Sequence, residues 1–220
     1  MKSTLLNMTA VLFGITLVAS AGVGFVNMIT VEPIAAAKEA ATLAALNEVL
    51  PAFDVTTTEE LTIDDMPITV YTATAGGSVS GYAVQSMTKR GFGGVVRLMV
   101  GFTPDGEVIN VNVLKQAETP GLGTKMADAD NVLLRSVKGQ KLEEKKLVNG
   151  KLAVAKDGGD VDALTAATIS SRAYVDAINR AWMAYKSVAT GEAPTDTASG
   201  ATAAAGQNNE PAAQEGGQNE

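Results

Sequence analysis

The ten residues Asp162–Ser171, DALTAATISS, decide how this chain is read. Four carry a hydroxyl (Thr165, Thr168, Ser170, Ser171), three are Ala, and only Asp162 is charged. They lead into SSRAYVDAINRAWMAYKS, where Tyr174, Ile178, Ala181, Trp182 and Tyr185 recur at i, i+4, i+7, i+8 and i+11 and build one apolar helix face. A helix N-cap needs one hydroxyl, not four. Two readings of the surplus stand. In one, the cap is over-supplied and the spare hydroxyls are solvated. In the other, the hydroxyls and the free N–H groups of a helix beginning near Ser170 form an anion site suited to phosphate, with Ala166 and Ala167 leaving room for something large.

Upstream of this stretch, the pattern from Pro67 to Lys115 is that of strands. ITVYTAT, SGYAVQSM, VVRLMVGFT and VINVNVLK are rich in Val, Ile, Thr and Tyr. Turn residues separate them: AGG at Ala75–Gly77, and TPDG at Thr103–Gly106 with the signature of a type I turn. Short turns between adjacent strands imply an antiparallel sheet. KMADADNVLLRSVKG reads as a helix ending at Gly139, and KLVNGKLAVAK as a hairpin turning at Asn149–Gly150. The fold class is therefore α+β, an antiparallel sheet with flanking helices, packed within residues 51–187.

A second stretch with chemical potential, ETPGLGTK (Glu118–Lys125), follows the last strand. Pro120 fixes one backbone angle, while Gly121 and Gly123 permit positive φ or close approach to a ligand. It lacks the third glycine of a dinucleotide fingerprint and is not a P-loop. It is either a turn between strand and helix or a ligand loop.

The N-terminal part is of another kind. From Ser3 to Val31 there is no charged residue. About 20 apolar residues rising ~1.5 Å each cross a hydrocarbon core of ~30 Å, so residues 1–31 read as a transmembrane anchor. A cleaved signal peptide competes, because Ala19–Ala21 resembles a small-residue cleavage site. Lys2 ahead of the apolar run places the N-terminus in the cytoplasm and the bulk of the chain outside under either reading. Residues 32–50, rich in Ala, Leu, Glu and Lys, read as a helical stalk ending at Pro51.

The chain has neither Cys nor His. That excludes Cys and His nucleophiles, the Ser-His triad, thiolate and imidazole metal sites, Fe–S clusters and the usual haem ligands. No nucleophile–base pair of a hydrolase is visible, so we expect no catalytic residue and no metal ligand. Of the net charge of −7, residues 188–220 supply −5 through Glu192, Asp196, Glu210, Glu215 and Glu220. Their Ala, Gly, Gln and Asn content reads as a disordered acidic tail. The nearly neutral remainder gives no electrostatic case for nucleic acid.

ETPGLG, followed further along by D-x-x-T-x-A-T (Asp162, Thr165, Ala167, Thr168), resembles the FMN-binding domain of the G subunit of Rnf electron-transport complexes. GFGG (Gly91–Gly94) lies ahead of both in the order that family has. The C subunit of sodium-pumping NADH:quinone reductase is similar, and the two motifs do not separate these relatives. The family usually has Gly where this chain has Ala166, a departure that matters if the position needs positive φ.

The resemblance implies FMN held by a phosphoester to Thr168 and installed by a flavin transferase that reads Asp162, Thr165, Ala167 and Thr168. It implies flavin contacts from Glu118, Thr119, Gly121, Leu122, Gly123 and Thr124, completed by Thr165, Ala166 and Ala167. Lys125 stands either as a charge partner of the flavin or as a solvated lysine, and Trp182 and Tyr185 either touch the ring or belong to the core. The function implied is electron relay within a complex that couples ferredoxin:NAD oxidoreduction to Na⁺ or H⁺ movement. Its Fe–S centres lie on partner subunits. The implied location is the bacterial inner membrane, with a single span and the FMN domain on the periplasmic side. A different class stays open: a membrane-anchored extracytoplasmic binding module without covalent flavin.

Overall fold

β-branched residues in runs of seven to eleven fold here into five strands, joined by turns too short for any but antiparallel pairing. The computed structural model describes residues 5–192. The strands are β1 (Val55–Ile63), β2 (Met66–Ala75), β3 (Ser78–Thr88), β4 (Val96–Phe102) and β5 (Val108–Lys115), in one meander of order β1-β2-β3-β4-β5. Asp64 and Asp65 turn β1 into β2 with φ of 50° and 57°; Gly76 and Gly77 turn β2 into β3 with 57° and 82°. Two successive positive φ values match the right-handed twist of paired strands, which is why short polar residues and glycine stand there. The Thr103–Gly106 turn closes as expected, with the Gly106 N–H donating to the Thr103 carbonyl at 3.0 Å.

The strand pattern legible in the sequence starts at Pro67 and so omits β1. VTTTEELTI buries Ile63 fully and Thr56 and Leu61 by half, and leaves the rest of its length exposed. β1 is an edge strand whose charged outer face hides the apolar alternation, and such charges also blunt an open edge.

Two further expectations are corrected in extent. The helix read across Lys125–Gly139 is a 3-10 turn, Gly123–Ala127, followed by a short helix α2 (Val132–Val137). Asn131 separates them. Its carboxamide donates to the carbonyls of Met126 and Asp128, at 3.0 and 2.8 Å, and accepts the Leu134 N–H at 2.8 Å. That capping geometry stops one helix and starts another. The hairpin at Asn149–Gly150 has the expected primed turn, φ 52° and 76°, but only one bridged pair, Val148 with Lys151.

The long helix α3 (Thr168–Thr190) packs across the sheet, chiefly on β3 and β4. Tyr174, Ile178, Ala181, Trp182 and Tyr185 meet Ile68, Val70, Val84, Leu98, Val100 and Phe102 in one apolar core. The i, i+4, i+7 stripe read from the sequence is this face. Tyr185 stacks on Phe102 with centroids 4.8 Å apart and donates its hydroxyl to the Pro104 carbonyl at 3.0 Å.

The helix α1 (Leu5–Val49) forms a separate unit that continues through Pro33. It is long and apolar enough to cross a membrane, and its apolar stretch is exposed. Residues 188–190 of the acidic tail expected from residue 188 belong to α3, which runs to Thr190, and residues 193–220 lie outside the described residues.

Candidate functional site

Three loops meet at the N-terminus of α3, and Glu118 fastens them. Its side chain is 4% exposed. Its carboxylate accepts the N–H groups of Phe92 and Gly93, at 3.3 and 3.0 Å, and the hydroxyl of Ser170. One carboxylate thus joins the GFGG loop, the PGLG loop and the first turn of α3. The glycines make the approach feasible. A Cβ on Gly93 would lie 1.7 Å from the Ala117 carbonyl oxygen, and one on Gly123 would lie 2.5 Å from Ser170 Oγ.

The hydroxyls of the opening stretch divide their work. Ser171 Oγ donates to the Ala167 carbonyl and accepts the Leu164 N–H, both at 2.9 Å, closing the turn before the helix. Ser170 holds Glu118. Thr168 is the first residue of α3, and its Oγ1 accepts a hydrogen bond from Lys156 Nζ at 3.0 Å. No side chain caps α3 at Ala167, so the first amides of the helix keep their partial positive charge for another acceptor. Ala166 has a φ of 58°, the left-handed region in which a side chain is strained.

A cavity of about 370 Å³ opens in front of this turn, lined by Phe92, Thr119, Leu122, Gly123 and the run Ala166 to Ser170. Its size falls within the ~300–1,000 Å³ usual for small-ligand sites. Phe92, Leu122 and Ile169 give it exposed apolar walls, 68%, 40% and 48% accessible. Large apolar side chains left open around a concavity mark a binding surface.

Of the residues expected from sequence, Thr119, Leu122, Gly123, Ala166, Ala167 and Thr168 line this cavity. Glu118 lies buried behind it. Gly121, Thr124, Thr165 and Asp162 do not line it; Thr124 Oγ1 instead accepts the Gly121 N–H at 3.0 Å, bracing the loop. Lys125 is exposed and Trp182 and Tyr185 are core residues, about 21 and 26 Å along α3 from Thr168.

Sequence reasoning missed Lys156, Arg172, Phe92 and Ile169. Arg172, one helical turn after Thr168, is gripped by both oxygens of Asp157 at 2.7 and 2.6 Å. That hydrogen bonding, partly opposed by desolvation and helped by the guanidinium charge, holds the Asp157 carboxyl below its ordinary range. The available signal was KDGGD (Lys156–Asp160), a charged turn placed just ahead of the hydroxyl-rich stretch.

A family model described as FMN-binding domain matches residues 91–183, from the GFGG loop through most of α3. Over 191 residues, 82% of this chain and 89% of the relative, the sequence is 31% identical to the G subunit of an ion-translocating oxidoreductase complex from Shewanella loihica. The chain belongs to that G-subunit family. Two further G subunits of this name, from Shewanella oneidensis and Haemophilus influenzae, are each 39% identical, over 54% and 50% of this chain and 55% and 53% of theirs. The family is the one that ETPGLG and the threonine motif implied.

The site fits a flavin mononucleotide at both ends. A planar aromatic system suits the walls of Phe92, Leu122 and Ile169. A phosphate suits the N-terminus of α3 with Lys156 beside it.

Proposed function

We propose that this chain is the membrane-anchored flavoprotein subunit of an ion-translocating ferredoxin:NAD oxidoreductase complex, carrying FMN on Thr168 through a phosphoester. FMN supplies the one- and two-electron chemistry that no side chain of this chain provides. The protein's part is to tether the cofactor, orient it and exclude water. Three hydroxyl residues line the cavity, Thr119, Thr168 and Ser170; Ser170 is committed to Glu118, and Thr168 stands at the first position of α3. The first N–H groups of α3, which no side chain caps, would hold a phosphate attached there. Phe92, Leu122 and Ile169 shelter the ring.

α1 anchors the chain, with the N-terminus cytoplasmic and the flavin domain on the extracytoplasmic side of the bacterial inner membrane. Electrons enter and leave through partner subunits that carry the Fe–S centres. A flavin transferase loads Thr168 before assembly, reading Asp162, Thr165, Ala167 and Thr168. All the relatives named above are G subunits, which favours this complex over the related quinone reductase.

The observation that carries the reading is Thr168 at the N-terminus of α3, lining a cavity with apolar walls, its Oγ1 accepting a hydrogen bond from Lys156. The test is the intact mass of denatured protein after co-expression with a flavin transferase. The parent gains the mass of FMN less one water, and Thr168→Ala does not. A parent without the gain, beside an active transferase, leaves a non-covalent binding module instead.

A further inference from the structure

Resting on the reading of Thr168 as the attachment residue, we propose that Lys156 is a positioning residue for that phosphoester, holding first the hydroxyl that is modified and then the phosphate it carries. The Lys156 ammonium donates to Thr168 Oγ1 at 3.0 Å, although twelve residues separate the two in sequence. Neither the length of the side chain nor its exposure makes this an accident of a loose surface lysine, because the backbone beneath it is built to fix it.

Lys156 sits in a 3-10 turn, Ala155–Asp157, that closes on itself. Val154 pairs with Val161, the Ala155 N–H donates to the Val161 carbonyl at 2.8 Å, and the Asp157 N–H donates to the Val154 carbonyl at 2.8 Å. Gly158 leaves the turn at φ 91°, and Gly159 passes so close to Ala153 that a Cβ there would lie 2.0 Å from the carbonyl oxygen. A turn that requires two glycines presents one ammonium to one hydroxyl.

The charge around the hydroxyl calls for an anion. Lys156, bonded to Thr168, and Arg172 are two cations beside the positive end of a helix, and the Asp157 carboxylate is paired with Arg172. Cations at a helix N-terminus are disfavoured by its dipole. The arrangement is balanced once a phosphodiester, with one negative charge, occupies Thr168.

In attachment, Thr168 Oγ forms a bond to the FMN phosphorus of a pyrophosphate-linked flavin donor. The phosphorus–oxygen bond to the leaving nucleotide phosphate breaks and its electron pair departs with that group. The hydroxyl proton passes to a base of the transferase, and nothing is oxidised or reduced. Lys156 occupies one lone pair of Oγ and so directs the other to the phosphorus; afterwards its ammonium is within reach of a non-bridging phosphate oxygen.

The experiment follows flavin incorporation into the full chain by intact mass, with transferase limiting, for the parent, Lys156→Gln, Lys156→Arg and Lys138→Gln, an exposed lysine elsewhere. Lys156→Gln slows incorporation about tenfold, Lys156→Arg retains most of the rate, and Lys138→Gln is unchanged. After labelling is driven to completion, the phosphorus-31 resonance of Lys156→Gln is displaced from that of the parent, which a recognition role for the transferase alone would not produce. Melting temperatures of the unlabelled proteins stay within a degree or two, since the side chain is exposed. Equal rates and equal phosphorus shifts in parent and Lys156→Gln overturn this inference while leaving Thr168 as the attachment residue. No incorporation into the parent overturns the attachment reading and this inference together.

Discussion

Ala166 occupies, at φ 58°, the position where the related motif has glycine. An L side chain in the left-handed region costs about 1–2 kcal/mol, while glycine raises the entropy cost of folding by about 0.4–1 kcal/mol. The first exceeds the second, so Ala166→Gly stabilises the domain by about 0.5–1 kcal/mol. The side chain is exposed, so no packing is lost. A urea midpoint that falls in Ala166→Gly would show that the turn gains more from a stiffer unfolded chain than it loses to strain. The strain is sustained by the bonds on either side of it, since Ser171 Oγ accepts the Leu164 N–H and donates to the Ala167 carbonyl, which fixes the turn independently of residue 166. That is how a departure from the motif leaves the geometry of Thr168 intact.

The buried face of α3 carries a hydroxyl that has found no hydrogen-bond partner. Tyr174 is fully buried and its hydroxyl accepts and donates nothing among the described residues. Burial pushes the phenol well above its ordinary value. The folded state therefore keeps this proton after the unfolded chain has lost it, so the stability it confers is complete below about pH 10 and is lost as pH rises further. Tyr174→Phe removes an unsatisfied hydroxyl and stabilises by about 1 kcal/mol at neutral pH. It also flattens the decline in stability between about pH 10 and 11. Denaturant unfolding at both pH values tests this; a Phe variant less stable at neutral pH would reveal a water bonded to the hydroxyl. The same face shows what a sequence can display. Its apolar residues repeat with the helix period, so the i, i+4, i+7 stripe ending at Tyr185 was legible and correct. β1 was not, because an edge strand such as VTTTEELTI buries little and shows no alternation. The break at Asn131 was not either, since a helix pattern in composition does not reveal a side chain that bonds back to Met126 and Asp128. Around the cavity, the motifs pointed to Thr168 and Glu118, whereas no motif pointed to Lys156, whose contact with Thr168 depends on a turn folding back across twelve residues.

The chain divides into a helix with the character of a membrane span and a domain with a complete core of its own. Every residue of that core, and each half-buried apolar residue packed against it, comes from between Leu61 and Ala189. Cutting after Val188 would remove Ala189 and the last turn of α3, so a test of the tail belongs after Glu192. At the other end, Ala45, Leu46, Val49 and Leu50 are buried and should be kept. A fragment of residues 45–192 is then expected to remain in the supernatant after ultracentrifugation, to unfold in one cooperative step, and to take up FMN on Thr168 at the rate of the full chain. The full chain is expected to sediment with membranes. The comparison separates anchoring from cofactor binding, because the N-terminal cut removes the apolar part of α1 and leaves every cavity-lining residue in place. A fragment that folds but labels slowly would assign the residues beyond Glu192, or α1, a part in presenting Thr168 to the transferase. A fragment that fails to fold would move the boundary of the domain further into α1.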